Sequence, residues 1–188
     1  MLTLRFDGLF REVHSNPERG AKAGFLSYGW LISRGETIIA RGHGVFAHHR
    51  DATSNVAEYL ALIEGLEALD DLGIKNEPVE IRGDAKCIID QMLGTANVSS
   101  ARTKRLYQRA KQLAGRFLQV TWTWTPRRNN RAADLLTRLA MKQMRADPAG
   151  YQAAMQAIDP QNGSRPPRNK FLPVIDLRVY HPLIYPRH

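Results

Sequence analysis

Hydrophobic and polar residues alternate from the first residues of the chain, as they do in a half-buried β-strand. Residues 2–6 follow this pattern, and Asp7 comes at the predicted end of the strand. A loop over residues 8–17 follows, since this stretch contains a Gly, an Asn and a Pro. Residues 24–33 and 37–47 predict two more strands joined by a turn, so the first three strands should form an antiparallel meander.

Apolar residues recur with helical spacing in much of the chain after the meander. The predicted elements are, in order, a helix over 55–72, a strand over 78–81, a short helix over 84–93, a basic amphipathic helix over 101–117, a strand over 119–125 and a helix over 130–145. This order combines hairpins with crossover helices. We therefore predict an α/β fold with a mixed five-stranded sheet, in which the antiparallel meander adjoins parallel strands and helices flank the sheet.

The character of the sequence changes near Pro148. Residues 160–168 are rich in Pro, Gly and polar residues, a composition that does not form regular structure. Residues 171–185 are instead strongly apolar, and such a segment needs a surface to pack on. We predict one domain over 1–147 and a Pro-rich tail over 148–188 that packs on this domain or on a partner. A monomer is expected, with a dimer formed through the tail as the alternative.

Charge and composition narrow the classes of function. The 188-residue chain has 43% hydrophobic residues, enough for a core, and a formal net charge of +9. This excess predicts a polyanionic partner, and a basic protein without one is the alternative. The only cysteine, Cys87, excludes an internal disulfide and a multi-thiolate metal site. No apolar run approaches the ~20 residues of a membrane span and no signal-peptide pattern opens the chain, so we expect a cytoplasmic protein without a membrane partner.

Four acidic residues stand out because of where the predicted elements place them: Asp7, Glu58, Asp84 and Asp134. Taken singly, each has an ordinary explanation as a turn residue, a helix cap or a partner of a helix dipole. If the first and fourth strands lie side by side, however, Asp7 and Asp84 meet, and the helix starts at Glu58 and Asp134 face the same place. Converging carboxylates repel one another unless cations bind between them, which indicates Mg²⁺ or Mn²⁺ and phosphoryl-transfer chemistry.

Several runs of the sequence resemble the motifs of the type 1 ribonuclease H family, in its compact bacterial and archaeal branch. The resemblance covers residues 2–145 and leaves the tail unexplained. Its most specific part is the run TSNVAEYLALIEGL over 53–66. The remaining matches are Asp7-Gly8, Asn16-Pro17 and Gly24 with Tyr28-Gly29 in the opening motif, Gly83-Asp84 in the third, and PRRNNRAAD over 126–134 in the fourth.

The resemblance implies a ribonuclease H-like fold and an endonuclease that hydrolyses the RNA strand of RNA/DNA hybrids. It further implies a two-metal mechanism with 5′-phosphate and 3′-hydroxyl products, using two Mg²⁺ ions, or Mn²⁺ in their place. The residues that match the family's catalytic and metal-binding positions are Asp7, Glu58, Asp84 and Asp134.

The resemblance also implies contacts to the hybrid. The surroundings of Asn16, together with Asn55 and Glu58, are candidates for contacts to RNA 2′-hydroxyl groups. Thr53 is the candidate for a phosphate of the DNA strand. The basic helix either follows the nucleic-acid backbone or forms an ordinary solvated face, and its candidate residues are Arg102, Lys104, Arg105 and Arg109.

Two departures from the family pattern bear on activity. Ala85 stands where many members have Ser or Thr, and no His occurs between His49 and His181, so the branch with a catalytic His before the last Asp is not matched. Arg127 or Arg128 occupies that region as the replacement for the His. Two alternatives stay open: a nuclease of the same fold that acts on another structure, such as a DNA junction, and a non-catalytic hybrid-binding module.

Overall fold

A computed structural model describes residues 1–16, 21–48, 52–158 and 171–181. Its elements, in chain order, are β1 (Leu2–Asn16), β2 (Ala21–Arg34), β3 (Thr37–His48), α1 (Ser54–Asp71), β4 (Val79–Gly83), α2 (Lys86–Leu93), α3 (Ala101–Ala114), β5 (Val120–Trp124), a single 3₁₀ turn (Arg127–Asn129), α4 (Arg131–Ala146), α5 (Pro148–Ile158) and β6 (Leu172–Tyr180). No helix in this described part of the chain is both long and apolar enough to cross a bilayer.

The strands form one mixed sheet with the order β5-β4-β1-β2-β3-β6. The strands β1, β2 and β3 pair antiparallel, whereas β4 is parallel to both β1 and β5. The predicted α/β fold, with a meander that adjoins parallel strands, is therefore confirmed. The predicted number of strands is wrong, because β6 pairs antiparallel with β3 and brings the sheet to six strands in the described residues.

The strand β1 continues far beyond Asp7, so the predicted loop over residues 8–17 is wrong through residue 16. Residues up to Asn16 pair with β2, with one irregularity between Glu12 and His14. Past Asp7, side chains still alternate between the two faces: Leu9 packs in the core beneath α4 and α5, and Phe10 packs beside α1. The Gly and the polar residues in this stretch conceal the alternation in the sequence.

The two faces of the sheet are covered by different helices. On one face, α1 packs on Leu4, Phe6 and Trp30, and it is itself covered by α3, which explains why so many of its side chains are buried. On the other face, α4 and α5 pack on Phe25 and Val45. Both sides of the central strands are thus covered by helices, and the large apolar side chains on them are buried.

The segment that forms β6 is attached to its own domain by polar contacts as well as by strand pairing. The Tyr28 hydroxyl donates to Asp176 Oδ1 at 2.7 Å. Arg178 donates to Glu64 Oε2 at 2.6 Å and to Asp71 Oδ2 at 3.1 Å, so it joins β6 to α1. Of the two surfaces predicted for the apolar tail, the structure places this part of it on the chain's own sheet.

Candidate active site

Two acidic residues meet where β1 and β4 lie side by side. The strands are parallel, and Phe6 pairs with Gly83 in their register. Asp7 and Asp84 are the next residues in each strand direction, so they lie next to each other. Asp84 directly follows the last residue of β4, while Asp7 lies within the longer β1 and is 3% exposed. The neighbouring parallel strands thus bring together two carboxylates that are far apart in sequence.

Glu58 reaches the same place from the first turns of α1. The helix begins after Thr53, whose side chain accepts a hydrogen bond from the Val56 amide at 3.2 Å. Its backbone passes so close to β1 at Gly8 that a Cβ there would overlap the backbone of Ala57 and Glu58. The Gly8 amide then donates to Glu58 Oε2 at 3.1 Å. The lack of a side chain at Gly8 therefore allows α1 to approach β1 this closely, and the Gly8 amide orients the Glu58 carboxylate.

Three carboxylates form a compact cluster: Asp7, Glu58 and Asp84 offer oxygens that all lie within 4.8 Å of one another. Burial, with the charge of Asp84 as the next cause, raises the pKa of Asp7 to about 7. Burial and the charges of Asp7 and Asp84 likewise raise the pKa of Glu58 well above its ordinary value. When all three carboxylates are ionised, their negative charges repel one another, and a divalent cation between them would offset that repulsion. Oxygen-only ligands of this kind fit Mg²⁺ or Mn²⁺.

Asp134 lies beside this cluster and is ion-paired with two arginines. It lies in the first turn of α4, where Arg127 donates to Oδ1 at 2.6 Å and the Nε of Arg138 donates to Oδ2 at 2.6 Å. Burial acts to raise the pKa of Asp134, but the hydrogen bonds from Arg138 and Arg127 outweigh it, and the pKa lies below its ordinary value. Sequence reasoning expected four acids at one place: three of them are grouped, and the fourth is ion-paired beside them, where its charge acts on Asp7.

The helix that carries Asp134 is fixed against the sheet by a close contact and a hydroxyl. A Cβ at Gly29 of β2 would lie 2.6 Å from the Ala133 carbonyl oxygen, so α4 approaches the sheet more closely than another residue would permit. The Thr137 hydroxyl lies 3.0 Å from Asp7 Oδ2 and 2.7 Å from the carbonyl oxygen of Asp134. Thr137 thereby links α4 to the first carboxylate.

Asn130 joins the last piece of the site to the sheet. It is fully buried, and its Nδ2 donates to the Phe6 carbonyl and to Asp84 Oδ1, each at 2.8 Å. Its Oδ1 is buried without a hydrogen-bond partner among the described residues. Sequence reasoning quoted Asn130 only as part of a motif and did not assign it a role. Its position in the sequence, between a run of basic residues and Asp134, indicates that it lies near the site. Its two acceptors, the Phe6 carbonyl and Asp84, can be identified only in the structure.

The predicted nucleic-acid contacts lie mainly around α1 and α3. Thr53 and Asn55 are exposed at the start of α1. α3 runs beside α1 in the same direction, because Leu106 packs near the start of α1 and Arg109 pairs with Glu67 further along, at 3.0 Å.

The cations of α3 differ in how far they are already engaged. Arg102 lies 3.0 Å from the Nε2 atom of His48, whereas Lys104 and Arg105 are exposed and have no ion pair with any described residue. The side chain of Asn16 and the neighbouring Pro17 lie outside the described residues.

The structure distinguishes the two candidates for the missing His. Arg127 contacts Asp134 directly, as described above. Arg128, the next residue of the 3₁₀ turn, is exposed and makes no ion pair within the described part of the chain. Ala85 precedes α2 and provides no side-chain cap for that helix. Of these two arginines, Arg127 is the one that contacts a carboxylate of the site.

Known proteins are similar to this chain in sequence and in fold. A family model described as reverse transcriptase-like matches residues 27–140. The bifunctional protein Rv2228c of Mycobacterium tuberculosis is 38% identical over 135 residues, which are 72% of this chain and 34% of that protein. Ribonuclease HI of Halobacterium salinarum is 34% identical over 137 residues, 72% of this chain and 62% of that protein. The chain thus spans about a third of the mycobacterial relative and less than two thirds of the halobacterial one.

Solved structures agree with these relatives. The crystal structure of RNase H1 from H. salinarum NRC-1 matches with a TM-score of 0.63 and 31% identity, over 76% of this chain and 98% of that chain. LC11-RNase H1, solved in complex with an RNA/DNA hybrid, matches with a TM-score of 0.65 over 76% of this chain and 98% of that chain, and at 24% identity it shows the fold. On its sequence, its sheet order and these relatives, the chain belongs to the type 1 ribonuclease H family.

Proposed function

We propose that this chain is a divalent-metal-dependent endonuclease that hydrolyses the RNA strand of RNA/DNA hybrids and leaves 5′-phosphate and 3′-hydroxyl ends. The observation that carries the proposal is the cluster of Asp7, Glu58 and Asp84, whose oxygens converge within 4.8 Å. Two findings support the choice of substrate. The H. salinarum relative is named ribonuclease HI, and the same fold holds a hybrid in LC11-RNase H1.

The carboxylates fit the metal ions that this chemistry needs. Asp7, Glu58 and Asp84 would hold one Mg²⁺ or Mn²⁺, and Asp7 with Asp134 would hold a second. When bound, such a pair of ions activates a water for in-line attack on the phosphorus and stabilises the leaving 3′ oxygen. The raised pKa values of Asp7 and Glu58 support this assignment, because bound cations would relieve the repulsion between these buried carboxylates.

The surrounding polar groups hold the carboxylates in a fixed arrangement. The Gly8 amide fixes Glu58, Asn130 fixes Asp84, and Thr137 lies against Asp7. Such outer contacts determine the direction in which the ligand oxygens point, which is why they matter nearly as much as the ligands themselves. Because the carboxylates are already oriented, little reorganisation of the site is needed when charge develops on the reacting phosphate.

Arg127 contributes charge and cannot exchange a proton at neutral pH. A guanidinium remains protonated, and its bond to Asp134 raises its pKa further. It can therefore stabilise negative charge on the phosphate or the departing product, but it cannot take over the acid–base role of a His. Proton transfer in this chain then falls to water and the substrate phosphate. The release of Asp134 from Arg127 and Arg138 would accompany its use as a ligand.

Recognition of the hybrid is assigned to the surface formed by α1 and α3. Thr53, at the N-terminus of α1, is proposed to contact a DNA phosphate, because the free amides of a helix start favour anions. Asn16, Asn55 and Glu58 are proposed to contact RNA 2′-hydroxyl groups. In α3, Lys104 and Arg105 are better candidates for backbone contacts than Arg102 and Arg109, which already have polar partners. We propose that a monomer acts, since β6 packs on its own sheet.

Cleavage of an end-labelled RNA/DNA hybrid with Mg²⁺ or Mn²⁺ tests the proposal. The native chain should cut only the RNA strand, and EDTA or the Asp84→Asn substitution should abolish cutting. Asp147→Asn is the matched control, because Asp147 is exposed and caps only Gly150. Tight binding without cutting would favour a hybrid-binding module instead. A preference for a four-way DNA junction over the hybrid would favour another nuclease of this fold.

A further inference from the structure

A second charged region lies beside the carboxylate site. An open cavity of about 310 Å³ lies between β1 and α4, lined by Leu9, Arg11, Arg138, Met141, Lys142 and Arg145. Two of the lining residues are apolar, and the other four are cationic. None of them belongs to the α1–α3 surface discussed above. The cavity is thus a separate positively charged surface on the opposite face of the sheet.

Arg138 of α4 connects the cavity to the carboxylate site. Arg138 lines the cavity and also contacts Asp134 at 2.6 Å. Lys142 and Arg145 follow on the same stripe of the helix, four and seven residues beyond Arg138. At a rise of 1.5 Å per residue they lie about 12 and 16 Å beyond Asp134 along the helix axis.

The strand β1 reaches the cavity from the other side. Asp7, Leu9 and Arg11 alternate onto the face of the sheet that α4 covers, as the contact of Asp7 with Thr137 shows. At about 3.4 Å per residue, Arg11 lies roughly 13 Å from Asp7 along the strand. Both elements therefore carry their cations a similar distance from the carboxylates and bring them to one cavity.

The charges in this cavity are incompletely neutralised. Arg138 is paired with Asp134, but Arg11, Lys142 and Arg145 are exposed and make no ion pair with any described residue. Cations gathered around one concave surface repel one another, and a bound anion removes that repulsion. Arginine matches a phosphate group in particular, because its planar fork can donate two parallel hydrogen bonds.

We propose that this cavity binds a backbone phosphate of the nucleic acid on the α4 side of the cut. Successive phosphates of one strand are about 3.4 Å apart along a duplex axis, so a site 12 to 16 Å away corresponds to about four nucleotides from the cleaved bond. The bound strand would run from the carboxylates along Arg138 to Arg11, Lys142 and Arg145. This inference rests on the proposed function for its ligand, because it takes the carboxylates as the position of the cut.

The test removes two exposed cations that form no ion pair with the residues that the structure describes, in the double variant Arg11→Gln and Lys142→Gln. The control is Arg34→Gln with Lys75→Gln, which removes the same charge at the opposite end of the sheet, where Arg34 pairs with the start of β1 and Lys75 precedes β4. Binding of an 18-base-pair hybrid is measured with Ca²⁺ in place of Mg²⁺, from 50 to 300 mM salt. Each lost phosphate contact should reduce the slope of log Kobs against log salt by about 0.9.

We expect the cavity variant to lower the salt slope by about 1 to 2 and to weaken binding roughly tenfold at 100 mM salt. The control should keep the native slope. Binding should also be measured with hybrids shortened stepwise from each end. The native chain and the variant should bind equally well once the distal phosphates on one side of the cut are absent. A slope equal to the native one, or an equal loss in the control, would overturn the proposal.

The two proposals fail in different ways. If the native chain does not cut hybrids, the proposed function is wrong, but the comparison of salt slopes on hybrid and on duplex DNA still reports whether the cavity holds a phosphate. If the native chain cuts hybrids and the double variant has the native slope at every length, the cavity proposal is wrong and the nuclease remains. Stronger binding of an acidic peptide than of nucleic acid at the cavity would also overturn it.

Discussion

The side-chain nitrogen of Asn130 lies 2.8 Å from Oδ1 of Asp84 and completes a link between the turn before α4 and the end of β4. The same nitrogen donates to the Phe6 carbonyl, one residue before Asp7. One buried amide therefore fixes the relative position of two neighbouring strands and a helix start at the carboxylate cluster.

Replacing this amide should cost both activity and stability. In Asn130→Ala, Asp84 loses its donor and the buried Phe6 carbonyl is left without its side-chain partner. We expect a loss of about 10- to 100-fold in hybrid cleavage, typical of outer contacts of metal ligands, and a free energy of unfolding lower by about 1–3 kcal/mol. Asn129→Ala is the control, since Asn129 is exposed.

Cleavage and metal titration separate positioning from simple unfolding in this variant. A larger metal requirement at a temperature where the variant is fully folded would support the positioning role. If Asn130→Ala keeps native activity at saturating and at low Mg²⁺, the hydrogen bond to Asp84 has no part in catalysis.

Gly8 is a second position where the structure makes a strong prediction. A methyl group in Gly8→Ala would overlap the backbone of α1 at Ala57 and Glu58, and backbone cannot rotate away as a side chain can. The helix must shift, so we expect the free energy of unfolding to fall by about 2–4 kcal/mol and cleavage to fall with it. Chemical denaturation measures the first effect and hybrid cleavage the second.

The control for this substitution is Gly115→Ala. Gly115 follows α3 with a helical backbone conformation, and a Cβ there would meet its nearest atom at 3.4 Å. This variant should be as stable as the native chain or more so, because alanine restricts the unfolded chain more than glycine does. Equal effects of the two substitutions would mean that the close approach of α1 to β1 does not limit stability.

The central part of the fold could be predicted because the patterns that indicate it lie within short stretches of the sequence. Alternation in β1 and helical spacing in α1 follow directly from which residues must be buried, and the parallel neighbours β1 and β4 follow from the order of the elements. That order is sufficient to bring Asp7 next to Asp84. The arrangement of these two acids was therefore accessible before any coordinates.

Other features depend on partners that are distant in sequence, and they were missed. Pro173 interrupts the apolar pattern of β6, and a proline is tolerated there because β6 is an edge strand with an irregularity opposite it. The ion pairs of Asp134 with Arg127 and Arg138 depend on side-chain directions, which are not encoded in a spacing. Asn130 escaped notice because a buried polar residue in a basic run resembles a surface residue.

Removing the tail tests how far β6 supports the domain. A chain truncated after Ile158 loses the pairing of β6 with β3, and Tyr28 loses its acceptor Asp176. We expect the free energy of unfolding to fall by several kcal/mol, since a buried hydroxyl and the edge of β3 become exposed together. Size-exclusion chromatography should show a monomer before truncation. A dimeric native chain that becomes monomeric on truncation would instead show that the tail joins two subunits.

Glu64 should make the stability of this attachment depend on pH. It is 12% exposed in α1 beside Arg178 of β6, and burial, which outweighs the charge of Arg178, raises its pKa to about 7. Because the pKa is raised on folding, the folded state holds this proton more tightly than the unfolded chain does. Its stabilising effect is complete below about pH 4.5, falls as the pH rises, and is lost above about pH 7.

The difference between the native chain and Glu64→Gln isolates this effect. The native free energy of unfolding, minus that of the variant, should fall by up to about 3 kcal/mol between pH 4.5 and 7.5. Urea denaturation at several pH values measures it, with Glu36→Gln, an exposed glutamate in the turn between β2 and β3, as the control. A difference that rises with pH would mean that the ion pair with Arg178 dominates and that Glu64 is charged throughout this range. In that case β6 would be held to α1 most firmly at neutral pH.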